Sequence, residues 1–132
     1  MDASERRCLL LAVLMIVLFF ASLIPALAHD EDHNNDAWYG SLMQPDNPSV
    51  SCCGLADAYW ADEVFVRDGK TYVRITDDRA DAPLGRPHIP VGTEVYVPNH
   101  KLKWDAGNPT GHAVIFMRGV DTVFCFVQGG GV

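Results

Sequence analysis

The segment "VFVRDGKTYVRI" constrains the fold of this chain more than any other stretch. Two runs of β-branched and aromatic residues flank Asp68-Gly69, a dipeptide that favours the tight turn of a β-hairpin. Phe65, Tyr72 and Val73 compete for the core side of this hairpin, and the pattern leaves their register open. The segment therefore predicts antiparallel β structure in the second half of the chain.

Further strand signals follow the hairpin. The segment "GTEVYVP" predicts a third strand, and "AVIFMRGVDTVFCFV" predicts a second hairpin whose long apolar strands we place at the centre of the sheet. One short helix is predicted in "GLADAYWADE", because Leu55, Ala58 and Tyr59 have helical spacing. The expected fold is mainly β: a small antiparallel sheet or a partly open barrel of about five strands, preceded by an N-terminal signal helix.

The N-terminal segment has the layout of a secretory signal peptide. Arg6 and Arg7 precede an uncharged apolar run over residues 8–24, and Ala26 and Ala28 form an A-x-A cleavage motif. We therefore predict cleavage after Ala28 and a periplasmic or secreted protein. The alternative is an uncleaved segment that anchors the protein in the inner membrane through residues 8–24, which would be its only membrane contact.

These boundaries divide the chain into a signal peptide (1–28), an acidic, irregular N-terminal arm (29–51) and a small β domain (52–132). Pro45 and Pro48 limit any helix in the arm to about one turn. The net charge of −7 argues against nucleic acid as a partner, because phosphates require a basic surface. The expected partner is an unidentified protein or a ligand of the cell envelope.

Export allows disulfide bonds, and three cysteines follow the predicted cleavage site: Cys52, Cys53 and Cys125. The odd number leaves at least one thiol without a partner in the same chain. A bond from the adjacent pair to Cys125 would close a long loop and stabilise the domain by about 4 kcal/mol. We favour Cys53–Cys125, with Cys52–Cys125 as the alternative.

The same cysteine pair permits a catalytic interpretation. Cys53 at the start of the predicted helix would gain thiolate character, and His112 on a later strand could activate it. The order of "CCGL", "GTEVYV" and "GHAVIF" resembles a shortened papain-like peptidoglycan hydrolase, which implies a Cys–His hydrolase that acts on the cell wall. No clear third polar residue follows His112, so we favour a protein that is not an enzyme.

A metal site is the next alternative. Cleavage after Ala28 would give His29 a free α-amine beside its imidazole, with His33 close in sequence. A nitrogen-rich site of this kind suits copper or nickel. We favour a protein without a cofactor and keep copper binding as the alternative.

The polar connection "KLKWDAGNPTGH" is the candidate ligand-binding loop. Trp104 offers an aromatic face, and Asn108, Thr110 and His112 offer hydrogen-bonding groups that could hold a sugar or a peptide. The alternative is that Trp104 covers the open end of the sheet.

Several short motifs resemble a loose group of short exported proteobacterial proteins, mostly α-proteobacterial, of uncharacterised function. These motifs are "SCCG" at residues 51–54, Val97-Pro98 before a lysine-bearing loop, and "NPTGH" followed by "FCFV". In that group a further cysteine often follows an aspartate after the pair, whereas here Ala58 follows Asp57. The resemblance implies an exported, disulfide-stapled β domain with one staple fewer, and it implies no activity.

Overall fold

A computed structural model describes residues 2–21 and 34–129 of the chain. In these residues the protein is mainly β, as predicted, with nine strands in three small sheets that do not close into a barrel. The helices are α1 (Ala3–Ala21), α2 (Asp36–Ser41) and α3 (Asp81–Leu84), with a 3-10 turn at Asn99–Lys101. The strands are β1 (Met43–Gln44), β2 (Asn47–Ser51), β3 (Asp57–Trp60), β4 (Glu63–Arg67), β5 (Lys70–Arg74), β6 (Glu94–Val97), β7 (Leu102–Trp104), β8 (Val114–Arg118) and β9 (Thr122–Gln128).

The β8–β9 hairpin lies at the centre of the molecule, as its apolar sequence predicts. It belongs to a four-stranded sheet in the order β3-β8-β9-β7, in which only the β7–β9 pair is parallel. Val114 and Phe116 pack into one core cluster, and Ile115 and Met117 pack into another on the opposite face. Because both faces are covered, β8 and β9 are apolar at nearly every position.

The predicted Asp68-Gly69 hairpin joins β4 to β5, and β6 completes a second sheet in the order β4-β5-β6. Asp68 and Gly69 both have positive φ, at 51° and 72°, as a two-residue hairpin turn of this kind requires. Val73 faces the core, and Phe65 and Tyr72, which are paired across β4 and β5, form a stacked pair on the outer face. The structure thus settles the register that the sequence left open.

The part of the predicted arm that the structure describes, residues 34–51, is not irregular. It contains α2 and the β1–β2 ribbon, and it buries Tyr39 and Leu42 in the cluster that covers one face of the central sheet. The single helical turn allowed by the prolines is present, but the segment is a packed layer of the domain. Burial of its apolar side chains stabilises the segment, although its acidic composition predicted an unpacked arm.

The predicted helix in "GLADAYWADE" is wrong, because this segment forms the edge strand β3. Asp57–Trp60 pairs with β8 along its whole length. Tyr59 packs into one core cluster, while Ala58 and Trp60 pack against the other, so the side chains alternate with the period of a strand. So short a helix has little stability of its own, and pairing with a buried strand outweighs the helical spacing.

Some predictions fall outside the described residues. They concern the cleavage motif at Ala26 and Ala28 and the metal candidates His29 and His33, which lie between the two described ranges. The helix α1 agrees with the predicted N-terminal helix, and its role as a signal peptide stays a prediction. A search of residues 2–21 and 34–129 for a helix long and apolar enough to span a membrane found none.

Candidate functional site

The disulfide bond joins Cys52, not the favoured Cys53, to Cys125. The two Cα atoms are 5.6 Å apart, within the usual range for a disulfide. Cys52 directly follows β2 and donates its backbone N–H to the Leu42 carbonyl at 2.9 Å, which turns its side chain into the core next to Cys125. The predicted staple is therefore present with the alternative partner. Such a bond is typical of an oxidising compartment outside the cytoplasm.

Cys53 is a hydrogen-bonded thiol rather than an activated nucleophile. Burial raises the pKa of Cys53 to about 11, and its Sγ lies 3.0 Å from the Tyr39 carbonyl oxygen that it donates to. No helix starts at this position, so the expected source of thiolate character is missing. The catalytic candidate Cys53 thus stays protonated at neutral pH.

The structure does not bring Cys53 and His112 together. Cys53 precedes the Asp57 end of β3, whereas His112 contacts the opposite end of that strand at Trp60. The register confirms this separation, since Asp57 pairs with Met117 and Trp60 pairs with Val114.

A polar cluster is built around His112 itself. Its Nδ1 lies 2.8 Å from Asp62 Oδ2, and its ring stacks on Trp60 with centroids 3.8 Å apart and planes inclined by 13°. The His112 carbonyl accepts a hydrogen bond from Asn108 Nδ2, and its backbone N–H donates to Thr110 Oγ1. Both the backbone and the ring of His112 are therefore held in place.

Asp62 orients this imidazole and sets the tautomer of its neutral form. The Asp62 carboxylate accepts hydrogen bonds from the backbone N–H of Ala113 and from Thr76 Oγ1, both at 2.9 Å. Burial by itself raises the pKa of Asp62, but the hydrogen bonds with His112, Ala113 and Thr76 outweigh it and hold this pKa below its usual value. An ionised Asp62 keeps the proton of neutral His112 on Nδ1, which leaves Nε2 as a hydrogen-bond acceptor.

Arg79 completes the cluster on the other side of Trp60. Its guanidinium carbon lies 3.9 Å from the Trp60 ring centroid, and two groups this close to one ring centre cannot share a face. The indole is therefore sandwiched between Arg79 and His112. Asp77 holds Arg79 through Nε at 2.9 Å and Nη2 at 2.7 Å, and it also accepts the backbone N–H of Trp60.

The predicted ligand-binding residues have different roles. Asn108 is buried, and its side chain bonds within its own loop to Thr110 and to the His112 carbonyl. Trp104 is 73% exposed on β7, at the opposite edge of the sheet from the strand that His112 contacts. The four residues therefore do not form one binding surface: Trp104 lies apart, and Asn108 and Thr110 hold the backbone of His112.

Sequence reasoning identified His112 but missed Trp60, Asp62 and Arg79. Asp62 lies 50 positions before His112, so no short motif connects them. A second His–Asp pair, His88 with Asp81 at 2.7 Å, has no stacked ring and a side chain that is 74% exposed. Comparisons with protein-family models, curated proteins and solved structures found nothing that matches this chain.

Proposed function

We propose that this protein is an exported, disulfide-stapled binding protein of the cell envelope, and that it acts without catalysing a reaction. Its recognition centre is His112 on the Trp60 ring. The observation that carries this proposal is the fixed imidazole, whose Nδ1 bonds to Asp62 while Nε2 has no hydrogen-bond partner among the described residues. The acceptor nitrogen suits an O–H or N–H group of a sugar or a peptide, and Trp60 supports the ring behind it.

Binding fits the cluster better than the alternative hydrolase does. The Cys–His mechanism requires a thiolate within hydrogen-bond reach of the imidazole, and Cys53 is a half-buried thiol with a raised pKa that donates to the Tyr39 carbonyl. Neither hydroxyl of the cluster donates to the imidazole, because Thr76 Oγ1 donates to Asp62 and Thr110 Oγ1 donates within its own loop. His112 is therefore an acceptor without a nucleophile to activate.

The other proposals stand beside this one. The resemblance to short exported proteobacterial proteins stays a proposal, and Cys53 and Ala58 pack against the same core cluster. A cysteine at the Ala58 position in such relatives would thus lie in the same layer as Cys53. Copper binding through His29 and His33 rests on the predicted cleavage after Ala28.

The test is an NMR titration of the ¹⁵N-labelled protein with a soluble muropeptide, which carries both sugar hydroxyls and peptide N–H groups. We expect the Nε2 resonance of His112 to shift on binding, and His112→Ala to weaken binding by roughly tenfold, as loss of one partly buried hydrogen bond implies. Asp62→Asn should weaken binding as well, because the imidazole loses its fixed orientation. His88→Ala is the matched control, because it removes an exposed His–Asp pair.

Two results would contradict this proposal. If the muropeptide leaves the His112 resonances unchanged, or if His88→Ala weakens binding as much as His112→Ala, the cluster is not a recognition centre. Rapid alkylation of Cys53 in the folded protein by iodoacetamide near neutral pH would return the hydrolase alternative, since a buried thiol with a raised pKa reacts slowly.

A further inference from the structure

The outer face of the β4-β5-β6 sheet carries a row of aromatic rings. Phe65, Tyr72 and Tyr96 occupy directly paired positions on the three strands. The ring centroids of Phe65 and Tyr72 are 5.8 Å apart, and those of Tyr72 and Tyr96 are 5.6 Å apart. Phe65 and Tyr72 are half-buried, and Tyr96 is 45% exposed. The sheet thus has a continuous aromatic layer on the side that faces away from the core.

Three cationic side chains lie over this aromatic row. The Arg67 guanidinium is 5.2 Å from the Phe65 ring centroid and 5.3 Å from that of Tyr72, and Lys70 Nζ is 5.7 Å from that of Tyr96. Arg74 also lies over Phe65, at 5.2 Å. Contacts of this length with the ring faces hold the cations against the sheet. We call this combined surface of Phe65, Arg67, Lys70, Tyr72, Arg74 and Tyr96 the aromatic–cationic face.

Two carboxylates partly balance the charge of this face. Glu94 bonds to Arg67 Nη1 and to Arg74 Nη2, both at 3.1 Å, and Glu63 pairs with Arg74. Lys70 has no carboxylate within salt-bridge distance in the part of the chain that the structure describes. The face therefore keeps a local excess of positive charge, although the whole chain has a net charge of −7.

The chemistry of the aromatic–cationic face selects its ligand. An aromatic ring packs against the apolar C–H side of a sugar, and a cation beside it pairs with a carboxylate. Nucleic acid also combines rings with negative charge, but binding its dense row of phosphates requires several unpaired cations, and among the described residues of this face only Lys70 lacks a carboxylate partner. We propose that the aromatic–cationic face binds a carboxylate-bearing polysaccharide. Tyr96 contacts the sugar rings, and Lys70 pairs with their carboxylates.

The experiment compares three soluble probes of equal length by isothermal titration calorimetry: a galacturonate oligomer, a neutral glucose oligomer and a glutamate oligomer. The first has both rings and carboxylates, the second has rings alone and the third has carboxylates alone. We expect measurable binding of the galacturonate oligomer, at least about tenfold stronger than that of either other probe, and weaker binding at high salt.

Two variants and their matched controls locate the site. Lys70→Met and Tyr96→Leu should each weaken galacturonate binding by roughly threefold to fivefold, as expected for one partly exposed contact. The matched controls lie on β7 in the other sheet: Lys103→Met removes a lysine, and Trp104→Leu removes an exposed aromatic ring. Both should leave binding unchanged. Circular dichroism confirms that each variant is folded.

The outcomes separate this proposal from the recognition centre at His112. His112→Ala should not change galacturonate binding, because His112 lies outside the aromatic–cationic face. Equal binding of the glutamate and galacturonate oligomers would overturn the polysaccharide assignment in favour of an acidic polypeptide. No binding of the galacturonate oligomer, or equal losses in the β7 control variants, would overturn the proposal altogether.

Discussion

Two segments of the molecule, one before β3 and one after β5 in the chain, are fixed to the central sheet by different kinds of bond. The α2 and β1–β2 segment is joined to the sheet by the Cys52–Cys125 disulfide bond. The connection between β5 and β6 contains the ion pair of Asp77 with Arg86, and hydrogen bonds of this pair with the Trp60 N–H and the Ala58 carbonyl attach it to β3. The first bond also restricts the unfolded chain, whereas the second exists only in the folded state.

The ion pair is buried and belongs to a larger set of hydrogen bonds. The side chain of Asp77 is 0% exposed and that of Arg86 is 3% exposed. Arg86 Nη1 donates to Asp77 and to the Ala58 carbonyl, both at 2.7 Å, and its guanidinium lies over the Tyr59 ring. Tyr59 in turn donates its hydroxyl to the Pro87 carbonyl at 2.7 Å. An irregular connection is thereby docked on an edge strand.

The difference shows two ways in which a small domain fixes a segment to its central sheet. Each segment buries apolar side chains, and each adds a specific bond to that burial. The disulfide makes one attachment insensitive to pH. The ion pair makes the other dependent on the ionisation of Asp77.

The largest effect is expected from loss of the disulfide bond. The double variant Cys52→Ala/Cys125→Ala should lower the free energy of unfolding by about 4 kcal/mol, because the unfolded chain regains the freedom of a long loop. Urea denaturation measures this change. Cys53→Ala is the control and should change the free energy of unfolding by no more than about 1 kcal/mol. A loss in this control as large as that in the double variant would mean that Cys53 forms the staple.

A somewhat smaller effect is expected from loss of the ion pair. Arg86→Met should lower the free energy of unfolding by about 3 kcal/mol, because it leaves the buried Asp77 with fewer partners while Arg79 still pairs with it. The control Arg118→Met removes an exposed cation from β8 and should change the value by less than about 0.5 kcal/mol. Because the two attachments share no partner, the losses from Arg86→Met and from disulfide removal should add. Strong non-additivity would show that the two segments are coupled.

The smallest effect is a difference in the response to acid. Burial raises the pKa of Asp77, but the hydrogen bonds from Arg79, Arg86 and the Trp60 backbone outweigh it and hold this pKa far below its usual value. A carboxylate whose pKa is lowered by folding stabilises the protein above its unfolded pKa of about 3.9, and this contribution is lost as the pH falls below that value.

Hydrogen exchange measures this response for each segment. As the pH is lowered below about 4, amides between β5 and β6 should lose protection before those of α2 and the β1–β2 ribbon. Asp77→Asn should flatten the pH dependence of the free energy of unfolding. Simultaneous loss of protection in both segments would contradict the distinction between a pH-dependent and a pH-independent attachment.

The sequence predicted those parts of the fold that depend on local patterns. Asp68-Gly69 identified the β4–β5 hairpin, and the apolar run near the C-terminus identified β8 and β9 as the centre. Strands β3 and β7 were missed because their pairing partners are distant in the chain. The choice of Cys52 over Cys53 depends on which side chain faces the core after β2, and no local pattern in the sequence distinguishes the two adjacent cysteines.

The candidate site was predicted only in part, for a related reason. His112 was chosen for its residue type and its position before a strand, and the structure places it in a polar cluster. The residues that orient it come from the end of β3, from the turn before β4 and from the connection after β5. Only the packing of the two sheets brings Trp60 and Asp62 to the imidazole and Arg79 to the other face of Trp60, so the spacing of these residues along the chain does not predict the cluster.

The position of Cys53 next to Cys52 has a consequence for the oxidative folding of this chain. In the unfolded chain, the two neighbouring thiols reach Cys125 across loops of almost equal length, so both isomers form at similar rates. A Cys53–Cys125 isomer must rearrange through attack by the free Cys52 thiolate before the native core can assemble. Cys52 is consumed in the native bond and Cys53 is released as the free thiol, which folding then holds against the Tyr39 carbonyl. The rearrangement thus needs no external thiol, and completion of folding restrains the thiol that could reverse it.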